Sequence, residues 1–182
     1  VTLCYRAATL VIPMRKFSER LAKRISRPFL DIANCQNPLD FTFNLNAEVF
    51  YKAIPRLLGK SKEFDAMISY GAFGPKYFSY TSKGKEFVDS EENQKAKLAY
   101  FHILNATING ARRIMQRFHF PMIFVNPLGV KDELFVFLNR QGFPTFQASH
   151  RAINALAKLV DYGAFLRETG NRNLFEHYHG FK

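Results

Sequence analysis

Lys131-Asp132-Glu133-Leu134-Phe135-Val136-Phe137-Leu138-Asn139-Arg140-Gln141-Gly142-Phe143-Pro144-Thr145-Phe146-Gln147-Ala148-Ser149 is the stretch that decides the fold class. Residues 131 to 141 carry a helical pattern, and Gly142 stops it, because glycine ends helices in left-handed geometry at no steric cost. Phe143 to Phe146 reads as a short strand, and Ser149 opens a second helix that runs to about Arg167. Helix, glycine, short strand and helix form the repeating unit of a parallel α/β sheet, since each parallel strand needs a crossover helix.

Upstream, Met122-Ile123-Phe124-Val125 is a continuous apolar run, the pattern of a central parallel strand buried on both faces. Before it, Glu91 to Arg117 predicts the longest helix, with Phe101, Leu104, Ile108, Ala111, Met115 and Phe118 at steps of three and four. Ser90 stands at its N-cap position, and Arg112, Arg113 and Arg117 stand in its last turns, where cations suit the helix dipole. Asp65 to Tyr70 predicts a further strand, followed by the turn-rich Gly71 to Pro75 and a loop or lid over residues 76–90. Ala47 to Leu58 predicts a helix with Phe50, Ala53, Ile54 and Leu57 on its core face, kinked or divided at Pro55. Phe17 to about Arg27 predicts a basic amphipathic helix ended by Pro28, with extended pieces at Val1 to Tyr5 and Phe29 to Ile32. On the last helix, Ile153, Leu156, Val160 and Ala164 are the expected core face, and the tail from Thr169 is polar and aromatic.

An open α/β sheet binds its ligands beyond the C-terminal ends of its strands. Here those loops are Gly71 to Pro75, Asn126 to Gly129 and Gln147 to Ser149, so Gly71, Gly74, Asn126 and Gly129 are the candidate binding residues. Glycine and asparagine there let backbone approach a ligand, and tight turns between strand and helix need the same residues; both readings stand.

At 182 residues the chain fits one domain with its own core. Aromatic residues make up 15%, 20 of them phenylalanine, which argues against a disordered chain. No apolar run approaches the roughly 18 residues needed to span a bilayer. Thr9 to Met14 is too short for a signal-peptide core, is broken by Pro13 and is preceded only by Arg6. The start at Val1 suggests a fragment of a longer chain. Two cysteines, Cys4 and Cys35, make neither a disulfide framework nor a metal site, so a reduced, cytoplasmic protein is the expectation. Of the net charge of +11, much sits early: the first 34 residues hold seven basic and two acidic side chains. Such a bias fits solvated helix faces, an anionic cofactor, an acidic partner or nucleic acid.

Three segments in order resemble the nucleoside-diphosphate-forming acyl-CoA synthetases, relatives of succinyl-CoA ligase. Asn37-Pro38-Leu39-Asp40-Phe41-Thr42 is similar to the family's Asn-Pro-(apolar)-Asp-(apolar)-Thr, and Phe64 to Ile68 is similar to its Val-Asp-Ala strand. From Leu138 to Glu168, residues Gly142, Pro144, Phe146, Arg151, Ala152, Ala155, Leu156, Leu159 and Tyr162 fill the places of a longer family pattern around a short strand and the helix after it. Leu10 to Pro13 is a fainter match. The resemblance implies a flavodoxin-like, three-layer domain with helices on both faces of a parallel sheet. It implies a layout of a basic N-terminal segment over 1–36, the flavodoxin-like subdomain over 37–168 and a tail over 169–182.

The reaction it implies is acid, CoA and nucleoside triphosphate converting reversibly to acyl-CoA, nucleoside diphosphate and phosphate. A phosphohistidine on another domain carries the phosphoryl group. CoA, ATP or ADP and Mg would belong to the parent enzyme, with no cofactor in this chain alone. The implied partners are the phosphohistidine-bearing, CoA-binding and ATP-grasp units, in an oligomer; no membrane is expected, and nucleic acid is the less favoured partner. No histidine here has the family's Gly-His-(small)-Gly context. The family's opening strand ending in Thr-Asn-x-Gly-Gly is also lacking, because no glycine precedes Gly59. The N-terminal strand and loop are thus expected to be truncated or degenerate, and the isolated chain inactive. Asn37 and Asp40 become interface or turn candidates, since Asn-Pro-x-Asp offers side-chain caps.

Other constellations have plain explanations. His177 and His179 lie in the tail, His102 flanks a core face, His150 sits in a first helical turn, and neither cysteine has a catalytic context. Lys76, Tyr77, Phe78, Tyr80, Lys83 and Lys85 mix charge with stacking surfaces, which suits single-stranded nucleic acid or a lid against a neighbouring domain. The alternative to the ligase domain is therefore a stand-alone basic module of the same fold that binds an acidic protein or nucleic acid.

Overall fold

The computed structural model describes residues 12, 14–27, 35–40, 46–71 and 91–170. The expected extended pieces at Val1 to Tyr5 and Phe29 to Ile32, Ser90 as a cap, the 76–90 lid, Gly74, Cys4, His177 and His179 lie outside these residues. Three strands, β1 (Met67–Tyr70), β2 (Met122–Val125) and β3 (Thr145–Phe146), form a parallel sheet in the order β1-β2-β3. Met67 pairs with Met122, Tyr70 with Val125 and Phe124 with Thr145. Before the sheet come α1 (Glu19–Ser26) and α2 (Ile54–Ser61). The crossovers are α3 (Glu91–Phe118) and α4 (Glu133–Arg140), and α5 (Ser149–Glu168) follows the last strand. The chain is an α/β protein with a parallel sheet, as the helix–strand alternation predicts.

Every residue of β2 is buried, and alternate side chains go to different cores. Met122 and Phe124 join Leu21, Ile25, Ile54, Ile108 and Leu134, the residues of α1 to α4. Ile123 and Val125 join Ala152, with Ile68, Phe146 and Leu156 packed beside them. Helices therefore cover both faces. The period of two along a strand produces this division. Val160 does not reach the core: it is 54% exposed, as are neighbouring Leu159 and Tyr162 to similar degrees. The reason is length. A helix of 20 residues spans about 30 Å, whereas the four-residue β2 it rests on covers about 13 Å.

The helix predicted over Ala47 to Leu58 is divided next to Pro55, which stands in the first turn of α2. A π-helical turn, Val49–Ala53, runs directly into α2, and the Ile54 N–H donates to the Val49 carbonyl. The wider turn shifts the buried face by one position, a known effect of an inserted π-turn. Tyr51, Ile54, Leu58 and Gly59 are buried, while Ala53, expected in the core, is exposed. At Gly59 the helices come close: a Cβ there would lie 3.1 Å from Cβ of Phe118 on α3.

The helix ends follow from local chemistry. Ser18 caps α1, its hydroxyl accepting from Leu21 N at 3.2 Å while donating to Glu63 Oε1 at 2.7 Å. Helix α4 begins two residues later than predicted, because residues 129–132 form a turn and Asp132 is the N-cap. It ends in a Schellman motif: Phe143 N donates to Leu138 O at 3.0 Å and Gly142 N to Asn139 O at 2.9 Å. Helix α3 ends the same way, with Phe120 N on Met115 O at 3.0 Å and His119 N on Gln116 O at 3.4 Å. Each motif drives a phenylalanine into the large core and is followed by a proline that leads into a strand. Pro121 O accepts from Met67 N, and Pro144 O accepts from Phe124 N, both at 2.9 Å. The strand predicted from Phe143 thus shortens to Thr145–Phe146, since Phe143 belongs to the turn.

Candidate functional site

Beyond the strands' C-terminal ends, the ladder continues for one step. Gly71 N donates to Val125 O at 3.1 Å, and Asn126 N donates to Phe146 O at 2.9 Å. This brings Gly71, Asn126 and Gln147 to one edge. Gly129 joins them: a Cβ on it would meet Gln147 Nε2 at 3.6 Å. Both glycines have positive φ, 88° at Gly71 and 86° at Gly129, where any other residue is strained.

The loop between β2 and α4 is built from two successive turns. Gly129 N donates to Asn126 O at 3.2 Å, with Pro127 at the position that favours a fixed φ, and Asp132 N donates to Gly129 O at 3.0 Å. Side chains close it. Asn126 Oδ1 accepts from Leu128 N at 2.9 Å, and Asn126 Nδ2 donates to Asp132 Oδ1 at 2.7 Å. Asp132 Oδ1 also accepts from Leu134 N at 3.1 Å and Phe135 N at 3.3 Å, which satisfies the first amides of α4. Asn126 is fully buried and points inward. Of the two readings that the sequence left open for Asn126 and Gly129, loop geometry accounts for both residues.

Asp132 is the residue that the sequence reading missed. It is 4% exposed, and its Oδ2 makes no hydrogen bond. The signal was available: an aspartate directly before an apolar helical run is an N-cap pattern. Tyr51 and Tyr100 feel its charge. Burial, then Tyr100, then Asp132 push the Tyr51 phenol well above its ordinary value. Burial first and Asp132 second push Tyr100 up to about 12. The Tyr51 ring lies 5.5 Å from Phe124, which in turn lies 5.5 Å from Phe143. The result is a buried carboxylate beside two neutral phenols at the end of the central strand.

The two helix starts at this edge differ in what they accept. At α4 the Asp132 carboxylate already fills the amides and would repel an anion. At α5 the N-cap is Ala148, which has no side-chain acceptor, and His150 and Arg151 are exposed in the first turn. An anion approaching the edge is favoured at α5 and disfavoured at α4. Among the described residues no group of three His, Cys, Asp or Glu side chains could hold a metal ion.

Asn37 and Asp40 lie away from this edge. Asn37 Nδ2 donates to Arg15 O at 2.9 Å, and neighbouring Cys35 and Leu39 pack against the large core, where burial pushes the Cys35 thiol up. The peptide between Asn37 and Pro38 is cis. Asn37 is thus a tether for the segment leading into α1, and Asp40 is exposed beside it. The arginines of α3 are largely spoken for: Arg112 donates to Gln141 O at 2.8 Å and to Gln141 Oε1, finishing α4, and Arg117 lies over the Phe118 ring. His102 is exposed. No helix among the described residues is long and apolar enough to cross a membrane. Compared with protein-family models, curated proteins and solved structures, the chain finds no match.

Proposed function

We propose that this chain is a flavodoxin-like domain of a nucleoside-diphosphate-forming acyl-CoA synthetase, inert alone and working by contact with a phosphohistidine-bearing domain. The reading is supported most by the α4–β3–α5 unit, which carries the longest stretch of the resemblance. Leu138 and Ala152 are fully buried, Gly142 takes φ 86°, and Pro144 leads a strand of the sheet, so each residue type suits its place. Further along, Leu159, Val160, Tyr162 and Phe165 of α5 are exposed, with Tyr162 and Phe165 stacked at 6.5 Å. An uncovered apolar surface of this kind fits a domain that docks against another. By the resemblance, CoA, nucleotide and Mg belong to the parent enzyme, and no chemical step is assigned to this chain.

The test is affinity recovery, from its own cells, of the native polypeptide or complex that contains this chain. Incubation with labelled ATP and Mg should place an acid-labile phosphate on a histidine outside residues 1–182. The same preparation should form acyl-CoA from acid, CoA and ATP. Recovery without histidine phosphorylation and without acyl-CoA formation would reject the reading. The basic face of α1 favours a second one, a stand-alone interaction module of the same fold, which such a negative result would leave in place.

A further inference from the structure

Helix α1 spends one face on the core and leaves the other charged. Leu21 and Ile25 are buried, while Arg20, Lys23, Arg24 and Arg27 are exposed at spacings of three, four and seven, which places them on one side of the helix. The end of α2 is fastened to the start of α1: Ser18 N and Oγ donate to the Glu63 carboxylate, and the Phe17 and Phe64 rings meet edge to face at 5.3 Å. Exposed Lys60 and Lys62 come just before that junction. Among the described residues none of these six cations has an ion-pair or hydrogen-bond partner, although Lys52, Lys95 and Lys97 are each paired with a glutamate.

Glu19 in the first turn and Lys23 and Arg24 in the last suit the helix dipole, but the crowding of cations on one side has a cost. Arg20 with Arg24 and Lys23 with Arg27 are like charges four apart, a spacing that destabilises. The core does not require it, since the stripe faces away from Leu21 and Ile25. A counter-charge from outside would relieve the repulsion.

The surroundings decide what kind of anion fits. Insertion into a bilayer would need the apolar face of α1, and the core has taken it. Single-stranded nucleic acid would need exposed rings for stacking, and the exposed aromatics among the described residues, Tyr70, Tyr162 and Phe165, lie on other elements. Phosphates of a duplex would meet Glu19 and the fixed Glu63 at the start of the stripe, whereas a protein surface can answer them with cations of its own. We propose that the α1 stripe is a docking site for an acidic helical segment of a partner protein. Arginine forks take such carboxylates bidentately. The proposal does not depend on the ligase reading and stands or falls without histidine phosphorylation.

The probe is a labelled helical peptide carrying glutamates four and seven apart on an alanine frame, titrated with the full 182-residue chain at low salt. The double variant Arg24→Glu/Arg27→Glu should bind it about tenfold more weakly. Arg140→Glu/Lys158→Glu, the same charge change at exposed positions elsewhere, should lose less than about twofold. Equal losses in the two variants would overturn the site. Tighter binding of a short DNA duplex or of phosphatidylserine vesicles at the same salt would overturn the partner class. Should the stripe variant fail to fold, amide-shift mapping on the unaltered chain decides: shifts centred on residues 19–27 support the site, and shifts centred elsewhere reject it.

Discussion

His119 stands in the place that Gly142 holds in the other Schellman motif, with φ of 49° against 86°, and each is followed by a buried phenylalanine and a proline. A side chain in left-handed geometry costs free energy that glycine avoids. His119→Gly should therefore stabilise the protein by about 0.5–1 kcal/mol, read as a higher urea midpoint at unchanged slope. Gly142→Ala should lose about 1 kcal/mol although nothing lies within 4 Å of the added methyl. The pair isolates backbone strain from crowding.

Asp132 serves both Asn126 and the first amides of α4. Asp132→Ala removes the cap and leaves Asn126 Nδ2 buried without its acceptor, a loss of about 2–3 kcal/mol. Asp132→Asn keeps an acceptor oxygen and deletes the charge, so it should cost clearly less. Equal losses in chemical denaturation would mean that the charge, and not the acceptor, is what matters.

Tyr51 and Tyr100 make the fold sensitive to alkali. Both phenols titrate above their unfolded value, so their contribution is fully present below about pH 10 and is lost as pH rises through about 12 for Tyr100. Stability should fall steeply over that window while tyrosinate absorbance rises. Tyr100→Phe should flatten the fall, and an unchanged profile in that variant would remove Tyr100 from the account.

Two buried glycines predict different outcomes. Gly110→Ala would meet Lys52 Cδ at 2.7 Å, but that side chain is flexible and its pair with Glu48 is exposed. The helix propensity gained should prevail, giving about 0.5–1 kcal/mol of stabilisation. Gly59→Ala meets Phe118 Cβ at 3.1 Å, which cannot swing away, so its gain should be cancelled or reversed. Thermal midpoints of the two variants give the order.

The parallel sheet was legible because β2 is apolar throughout and because Gly142 and Pro144 punctuate the sequence where helix gives way to strand. Gly71, Asn126 and Gly129 fall at the edge for the same reason, since loops must follow strand ends. What escaped was geometry with no compositional mark. A π-turn leaves the 3.6-residue pattern intact on either side and shifts it between, so a regular helical period puts Ala53 inside where the structure buries Tyr51. His119 carries a glycine's conformation without being glycine. Val160 fits the helical period, yet no strand reaches far enough to cover it. The helical pattern includes Asp132 in a helix that it in fact caps.

Because Ile123 and Phe124 face opposite cores, neighbouring letters of the sequence answer to different halves of the molecule. Damage at one should loosen α5 and spare the four-helix layer, and damage at the other should do the reverse. A one-residue insertion ahead of them would exchange the two addresses, asking the roomy side to close on an isoleucine and the shallow side to swallow a benzyl group.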